Sequence, residues 1–116
     1  MDEVTLELPV PPSANEYWQY SRGHVYTSQV ARDYKRAVSL LIPRQVMSGE
    51  VCLNISVYRA RKIGDLDNYL KIMLDALKGI LYHDDNQIIE IHSFRYDDKA
   101  NPRVILVAWE AEKDSQ

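Results

Sequence analysis

The segment GDLDNYLKIMLDALKGILYHDDNQ, residues 64–87, carries five of the chain's seventeen acidic residues, mostly at the two ends of an apolar repeat. Asp65 and Asp67 are two positions apart, so an extended backbone points both carboxylates the same way. Carboxylates that close repel one another unless a proton or a cation stands between them. Mg²⁺ and Mn²⁺ are suited to that place: they take oxygen ligands from a few carboxylates, keep several waters and leave room for a phosphate. The chemistry this equips is phosphodiester hydrolysis, in which the ion polarises a phosphoryl oxygen and lowers the pKa of the attacking water. Lys71, one helical turn beyond Asp67, supplies a cation for charge developing on the phosphate or its leaving group. Arg59, Arg61 and Lys62, just upstream, supply contacts to flanking phosphates that carry no sequence information.

Each acid also has an ordinary structural use. Asp67 is a good helix cap, Asp65 and Asp67 both suit the positive end of a helix dipole, and HDDN has the composition of a turn. One cap suffices for one helix, however, so the pair asks for more. His83 adjoins Asp84 and can serve as base or ligand, although a single His in a polar turn is usually plain surface. His24 and His92 lack partner spacing, and no zinc cluster, phosphate-binding glycine loop or nucleophile elbow is present. No nucleotide cofactor is expected.

The elements that must position these groups are legible as patterns. Val4, Leu6, Leu8 and Val10 alternate with polar or turn residues as in a half-buried strand. Residues 11–28, PPSANEYWQYSRGHVYTS, read as a loop unusually rich in Tyr and Trp. Ser28 caps a helix whose Val30, Tyr34, Ala37, Val38 and Leu41 share a face and which Pro43 stops. Arg32, Lys35 and Arg36 form its basic outer face, a secondary candidate for phosphate contact. Val51, Leu53, Ile55 and Val57 mark a second strand. Leu70, Met73, Leu74, Leu77, Ile80 and Leu81 form the stripe of a second helix. QIIEIHSFRY, the turn DDKANP and RVILVAW complete a hairpin, the last run apolar enough for burial on both faces. The expected fold is α+β, in the order β-α-β-α-β-β: a small mixed four-stranded sheet with two helices on one face. Self-association as a homodimer is the expected cover for the other face.

With 116 residues and no linker, repeat or low-complexity tract, the chain is expected to be a single domain over 1–116. Its longest apolar run, Val104–Trp109, is too short to cross a bilayer, and the N-terminal MDEVTLELPV lacks the pattern of a secretion signal, so a cytoplasmic location is expected. The only cysteine, Cys52, sits in a strand pattern and reads as core packing. A net charge of −3 argues mildly against nucleic acid, but two bound divalent ions would reverse its sign.

At this point the sequence resembles the RusA family of Holliday junction resolvases, small dimeric endonucleases of bacteria and their phages. DLDNYLKIMLDAL followed by DDNQI carries the resemblance, together with PPSANEYW, YTS and an AxxYK element near the N-terminus. It spans essentially the whole chain. The resemblance implies a Mg²⁺-dependent homodimer, with Mn²⁺ able to substitute, that makes paired symmetric nicks in branched DNA at a four-way junction. It implies metal-binding aspartates at Asp65, Asp67 and Asp85 and an essential lysine at Lys71. Asp84 competes with Asp85, because the preceding KGILYH loop varies in length. Ile63 and Gly64 stand where members carry another cation or a proline, which leaves open which of Arg59, Arg61 and Lys62 touches DNA. On this reading the acids at the two ends of the helix converge, within one chain, on one metal centre.

Three other readings share some of these features. A non-catalytic DNA-binding module would use the aspartates only as caps, and a nuclease for flaps or forks would use the same metal chemistry on other branched DNA. A protein–protein adaptor would leave the acids without metal affinity.

Overall fold

The computed structural model describes residues 3–12, 18–21, 24–42, 46–60 and 66–111. Strand β1, Val4–Leu8, is followed by two short strands, β2 (Trp18–Ser21) and β3 (His24–Thr27), then by helix α1, Gln29–Leu41. Strand β4, Val51–Arg59, precedes helix α2, Leu66–Leu77; a 3₁₀ turn, Asp85–Gln87, leads into β5, Ile88–Asp97, and β6, Arg103–Glu110, closes the order. The main sheet has the strand order β1-β6-β4-β5. β6 runs antiparallel to both neighbours, and β4 and β5 run parallel. The mixed four-stranded sheet with two helices is therefore the α+β architecture expected.

One hydrophobic core joins the helices to one face of this sheet. Leu6 and Leu8 of β1, Leu53, Ile55 and Val57 of β4, and Val104, Leu106 and Ala108 of β6 lie side by side in register and are buried. Ala31, Tyr34 and Val38 of α1 and Ile72, Met73, Ala76 and Leu77 of α2 belong to the same cluster. Ser28 accepts from the Ala31 amide at 3.1 Å, the cap the sequence suggested. The Tyr34 phenol ties three elements together: it donates to the Pro9 carbonyl at 2.8 Å and lies 3.0 Å from the Met73 sulfur. Burial pushes its pKa far above the ordinary tyrosine value.

Four expectations need correction. β5 and β6 do not pair as a hairpin, because β4 lies between them in the sheet. Residues 11–28 are not all loop, since β2 and β3 pair antiparallel as a small separate sheet. Four consecutive register pairs make this short ribbon, whose strands of four residues are too brief to show a clear alternation in the sequence. Helix α2 ends at Leu77 rather than running on to Leu81, because Gly79 adopts φ +81°, a left-handed conformation that stops a helix. Ile80 and Leu81 still face inward, but from a turn, with the Leu81 carbonyl accepting from Met47 N at 2.8 Å. Finally, β6 alternates between buried and half-buried residues, so its continuous apolar run covers one helix-packed face and one open face.

Candidate metal and phosphate site

The parallel β4-α2-β5 unit fixes where each acid stands. Asp67 lies in the first turn of α2, the end reached from the carboxyl end of β4. At the other end of the helix, the chain returns beside the start of β4: Met47 N bonds the Leu81 carbonyl, and the Gln87 side chain donates to the Met47 (2.8 Å) and Gly49 (2.9 Å) carbonyls. Asp84 and Asp85 belong to this second end. A helix of 12 residues spans about 18 Å, so the two acidic groups flank α2 rather than meet.

Local contacts sharpen this. The Tyr82 phenol, in a fully buried side chain, donates to the Leu74 carbonyl at 2.6 Å, and Asp85 and Asp75 both act on it. Burial first, then these two carboxylates, push the Tyr82 pKa well above the tyrosine range. Asp85 therefore stands near the last turn of α2. Leu74 is seven residues beyond Asp67, about 11 Å along the axis, whereas two carboxylates on one small divalent ion each place an oxygen about 2.1 Å from it. Asp67 and Asp85 thus lie near opposite ends of α2.

Asp84 and Asp85 have different tasks. Asp84 caps the 3₁₀ turn, accepting from Asn86 N at 3.3 Å, while the Gln87 side-chain oxygen accepts from the His83 (2.7 Å) and Asp84 (2.9 Å) amides. That capping box occupies Asp84 and leaves Asp85 exposed beside the phenol. His83 is exposed. Gln87 was overlooked as a positioning residue, although Asp84-x-x-Gln87 has the spacing of a capping box.

Lys71 is exposed on α2, four residues after Asp67 and four before Asp75, so the three side chains occupy successive turns of one face. Behind that face, Lys35 of α1 donates to the Asp75 (3.3 Å) and Lys78 (2.9 Å) carbonyls and covers the negative end of α2. Lys35 is thus spent on the fold, while Arg36 remains exposed on α1.

Arg59 needs correction as a DNA contact. It is 7 % exposed and its guanidinium pairs with the half-exposed Asp97 across the parallel β4 and β5 strands, so gripping a phosphate would require breaking a part-buried ion pair. Asp65, Arg61 and Lys62 lie outside the described residues. Among the described residues, no three His, Cys, Asp or Glu side chains cluster as a metal site. The oxygen-only chemistry of Asp67 and Asp85, both exposed, fits a hard divalent ion.

A family model described as endodeoxyribonuclease RusA matches residues 8–107. The crossover junction endodeoxyribonuclease RusA of Escherichia coli (strain K12) is 28% identical over 96 residues, which cover 78% of this chain and 80% of that protein. The protein of the same name from Shigella sonnei (strain Ss046), and that of Enterobacteria phage 82, show the same identity and coverage.

Proposed function

The chain belongs to the endodeoxyribonuclease RusA family, and from that membership we propose that it is a Mg²⁺-dependent homodimer that resolves four-way DNA junctions by paired symmetric phosphodiester hydrolysis. The observation that carries this reading is the family match over residues 8–107, which contains the whole Asp65, Asp67, Lys71 and Asp85 set. The same span supports treating residues 1–116 as one catalytic domain. No helix among the described residues is long and apolar enough to cross a membrane, and the proposed place of action is the cytoplasm.

Asp65, Asp67 and Asp85 are the proposed holders of the divalent ion. When bound, that ion polarises the scissile phosphate and acidifies the attacking water. Lys71 brings an ammonium to the same helix face as Asp67, where it stabilises charge on the reacting phosphate. The amino end of α2 adds its positive dipole, which favours an anionic backbone there. Tyr82 and the Gln87 clamp hold the turn that presents Asp85. Arg61 and Lys62 are proposed as contacts to flanking phosphates, which set orientation and not sequence.

The test compares a mobile four-way junction, a flap, a replication fork and a linear duplex, each with Mg²⁺ and with chelator. Paired nicks at symmetric positions on the junction, abolished by chelation, are the expected result. Preferential cutting of flaps or forks would reassign the substrate, and metal-independent binding without nicks would make the protein a DNA-binding module.

A further inference from the structure

We propose that the open face of the sheet, over Tyr58, Phe94 and Tyr96, is a stacking platform for unpaired bases of single-stranded DNA, separate from the carboxylates and Lys71. The choice of DNA as the strand rests on the proposed nuclease reading; the platform itself does not.

The first observation is a row of near-parallel planes crossing three strands. Register sets Arg103 of β6, Tyr58 of β4 and Tyr96 of β5 side by side, on the face opposite to the buried Ile55 and Val57. The guanidinium carbon of Arg103 lies 3.9 Å from the centre of the Tyr58 ring. Tyr58 and Tyr96 stack with 4.9 Å between ring centres and 22° between their planes, and Phe94 follows at 6.4 Å and 18° from Tyr96. Arg103 is itself fixed, donating to the Asp98 carboxylate and to the Asn101 carbonyl, each at 2.8 Å. A held cation therefore closes one end of the row, and the other end stops at β5, the last strand of the sheet.

The second observation is that the rings are exposed beyond what the sheet itself needs. A cross-strand pair such as Tyr58 and Tyr96 has a structural use, since it steadies two neighbouring strands. Phe94 lies instead across from Ser56, a side chain too short to cover it, and beyond Ser56 the register reaches Ile105. Phe94 and Tyr96 stay 44 and 45 % exposed. Neighbouring rings that both leave nearly half their surface in water mark a contact surface, whereas single exposed apolar residues do not.

The surroundings select the occupant. Asn54 follows Ser56 along the same face of β4, and the exposed His92 lies across from it on β5. Hydroxyl, amide and imidazole groups thus share the face with the rings. Glu90, the acid of β5 on this face, lies at the far end from Tyr96 and approaches the His92 ring at 3.4 Å. An apolar protein surface would take water from these polar groups and return no hydrogen bonds. A nucleic-acid base offers both parts of what the face can bind, a π face for the rings and donor and acceptor edges for the polar groups. Lys99, exposed in the turn beyond Tyr96, adds a cation for the phosphates of the same strand. Tyr58 is the last residue but one of β4, so the row and the first turn of α2 stand at the same end of the sheet.

The test is binding in chelator, where no strand is cut. Fluorescence anisotropy compares a labelled short oligo-thymidine with an abasic strand of the same length and with an oligo-uridine. The unmodified protein should bind the thymidine strand more tightly than the abasic one. Phe94→Thr and Tyr96→Thr put a good strand former at an exposed position, and each should weaken binding of the thymidine strand by about 10- to 100-fold, the scale of one lost stacked base. Binding of the abasic strand should not change, and Tyr96→Phe, which keeps the ring, should bind as the unmodified protein does. Equal affinity for the thymidine and abasic strands, or no binding of either, overturns the platform. This comparison needs only the unmodified protein, so it decides even if Phe94→Thr does not fold. Unchanged binding by a Phe94→Thr protein that melts as the unmodified protein does also overturns it. If Phe94→Thr changes the mass seen by light scattering and not the strand affinity, the face is a protein contact and the proposal fails. Tighter binding of the uridine strand than of the thymidine strand overturns the assignment to DNA. Binding of the thymidine strand through Phe94 by a protein that never cuts a four-way junction in Mg²⁺ contradicts the nuclease reading and supports the platform.

Discussion

The hydroxyl of Tyr82 donates to the carbonyl of Leu74 at 2.6 Å, closing the carboxyl end of α2 from a turn that the left-handed Gly79 makes possible. Lys78 N turns instead to Asp75 O at 3.3 Å, so without the phenol the Leu74 carbonyl would lose this partner in a part-buried setting. Tyr82→Phe should cost about 1–2 kcal/mol. Because Asp85 also lies against this phenol, the variant should cleave more slowly at limiting Mg²⁺ and recover at saturating Mg²⁺. Thermal denaturation and a Mg²⁺ titration of cleavage check the two effects; unchanged values in both would show that the phenol positions nothing.

Gln87 holds the Asp84–Asp85 turn through four hydrogen bonds, two received from His83 N and Asp84 N and two given to Met47 O and Gly49 O. Gln87→Leu should lower stability by roughly 2–3 kcal/mol, since several partly buried groups lose partners together. Hydrogen exchange at the His83 and Asp84 amides should accelerate in the variant at temperatures where β4 stays protected.

Asp84 and Asp85 should separate cleanly. Asp84→Asn keeps a capping oxygen and should leave cleavage within a few-fold of the unmodified protein. Asp85→Asn should abolish cleavage while binding of the junction in chelator persists. Equal loss in both variants would return Asp84 to the ligand set.

Arg59 and Lys71 should fail in opposite ways. Arg59→Met breaks the pair with Asp97 and should destabilise the β4–β5 edge without changing the salt dependence of DNA binding. Lys71→Ala should keep the melting temperature and lose about 10²–10³-fold in cleavage rate, the scale for removing a preorganised charge stabiliser.

The turn between β5 and β6 carries a pH signature. Asp98 accepts from Arg103 at 2.8 Å and from Asn101 N at 3.2 Å, and the Arg103 hydrogen bond is the main reason its pKa lies below the usual aspartate value of 3.8. A depressed folded-state pKa stabilises the fold above the unfolded-state value, and this is lost as pH falls through the folded-state value. Asp98→Asn should therefore flatten the loss of stability below about pH 4, which denaturant midpoints measured across the acid range will show.

Much of the fold was legible because its signals are local. Ser28 caps α1, the alternation in 51–57 marks β4, and the Leu70–Leu77 stripe marks the buried face of α2. The β2–β3 ribbon was missed because cross-strand pairing leaves no strong periodic trace in segments of four residues. In the site, residue types pointed to the carboxylates and Lys71, but not to their separation. That separation is a property of a parallel strand-helix-strand crossover, which puts the two ends of the helix at opposite ends of the sheet. Arg59 read as a free cation because nothing local announces Asp97, thirty-eight residues away, as its partner.

One measurement tests the central claim most directly: cleavage of a labelled four-way junction by the unmodified protein and by Asp67→Asn, with junction binding measured in parallel. Paired nicks in Mg²⁺ that vanish in Asp67→Asn while binding persists are the predicted result. Full cleavage by Asp67→Asn at saturating Mg²⁺, or an intact junction under every condition, would contradict the account.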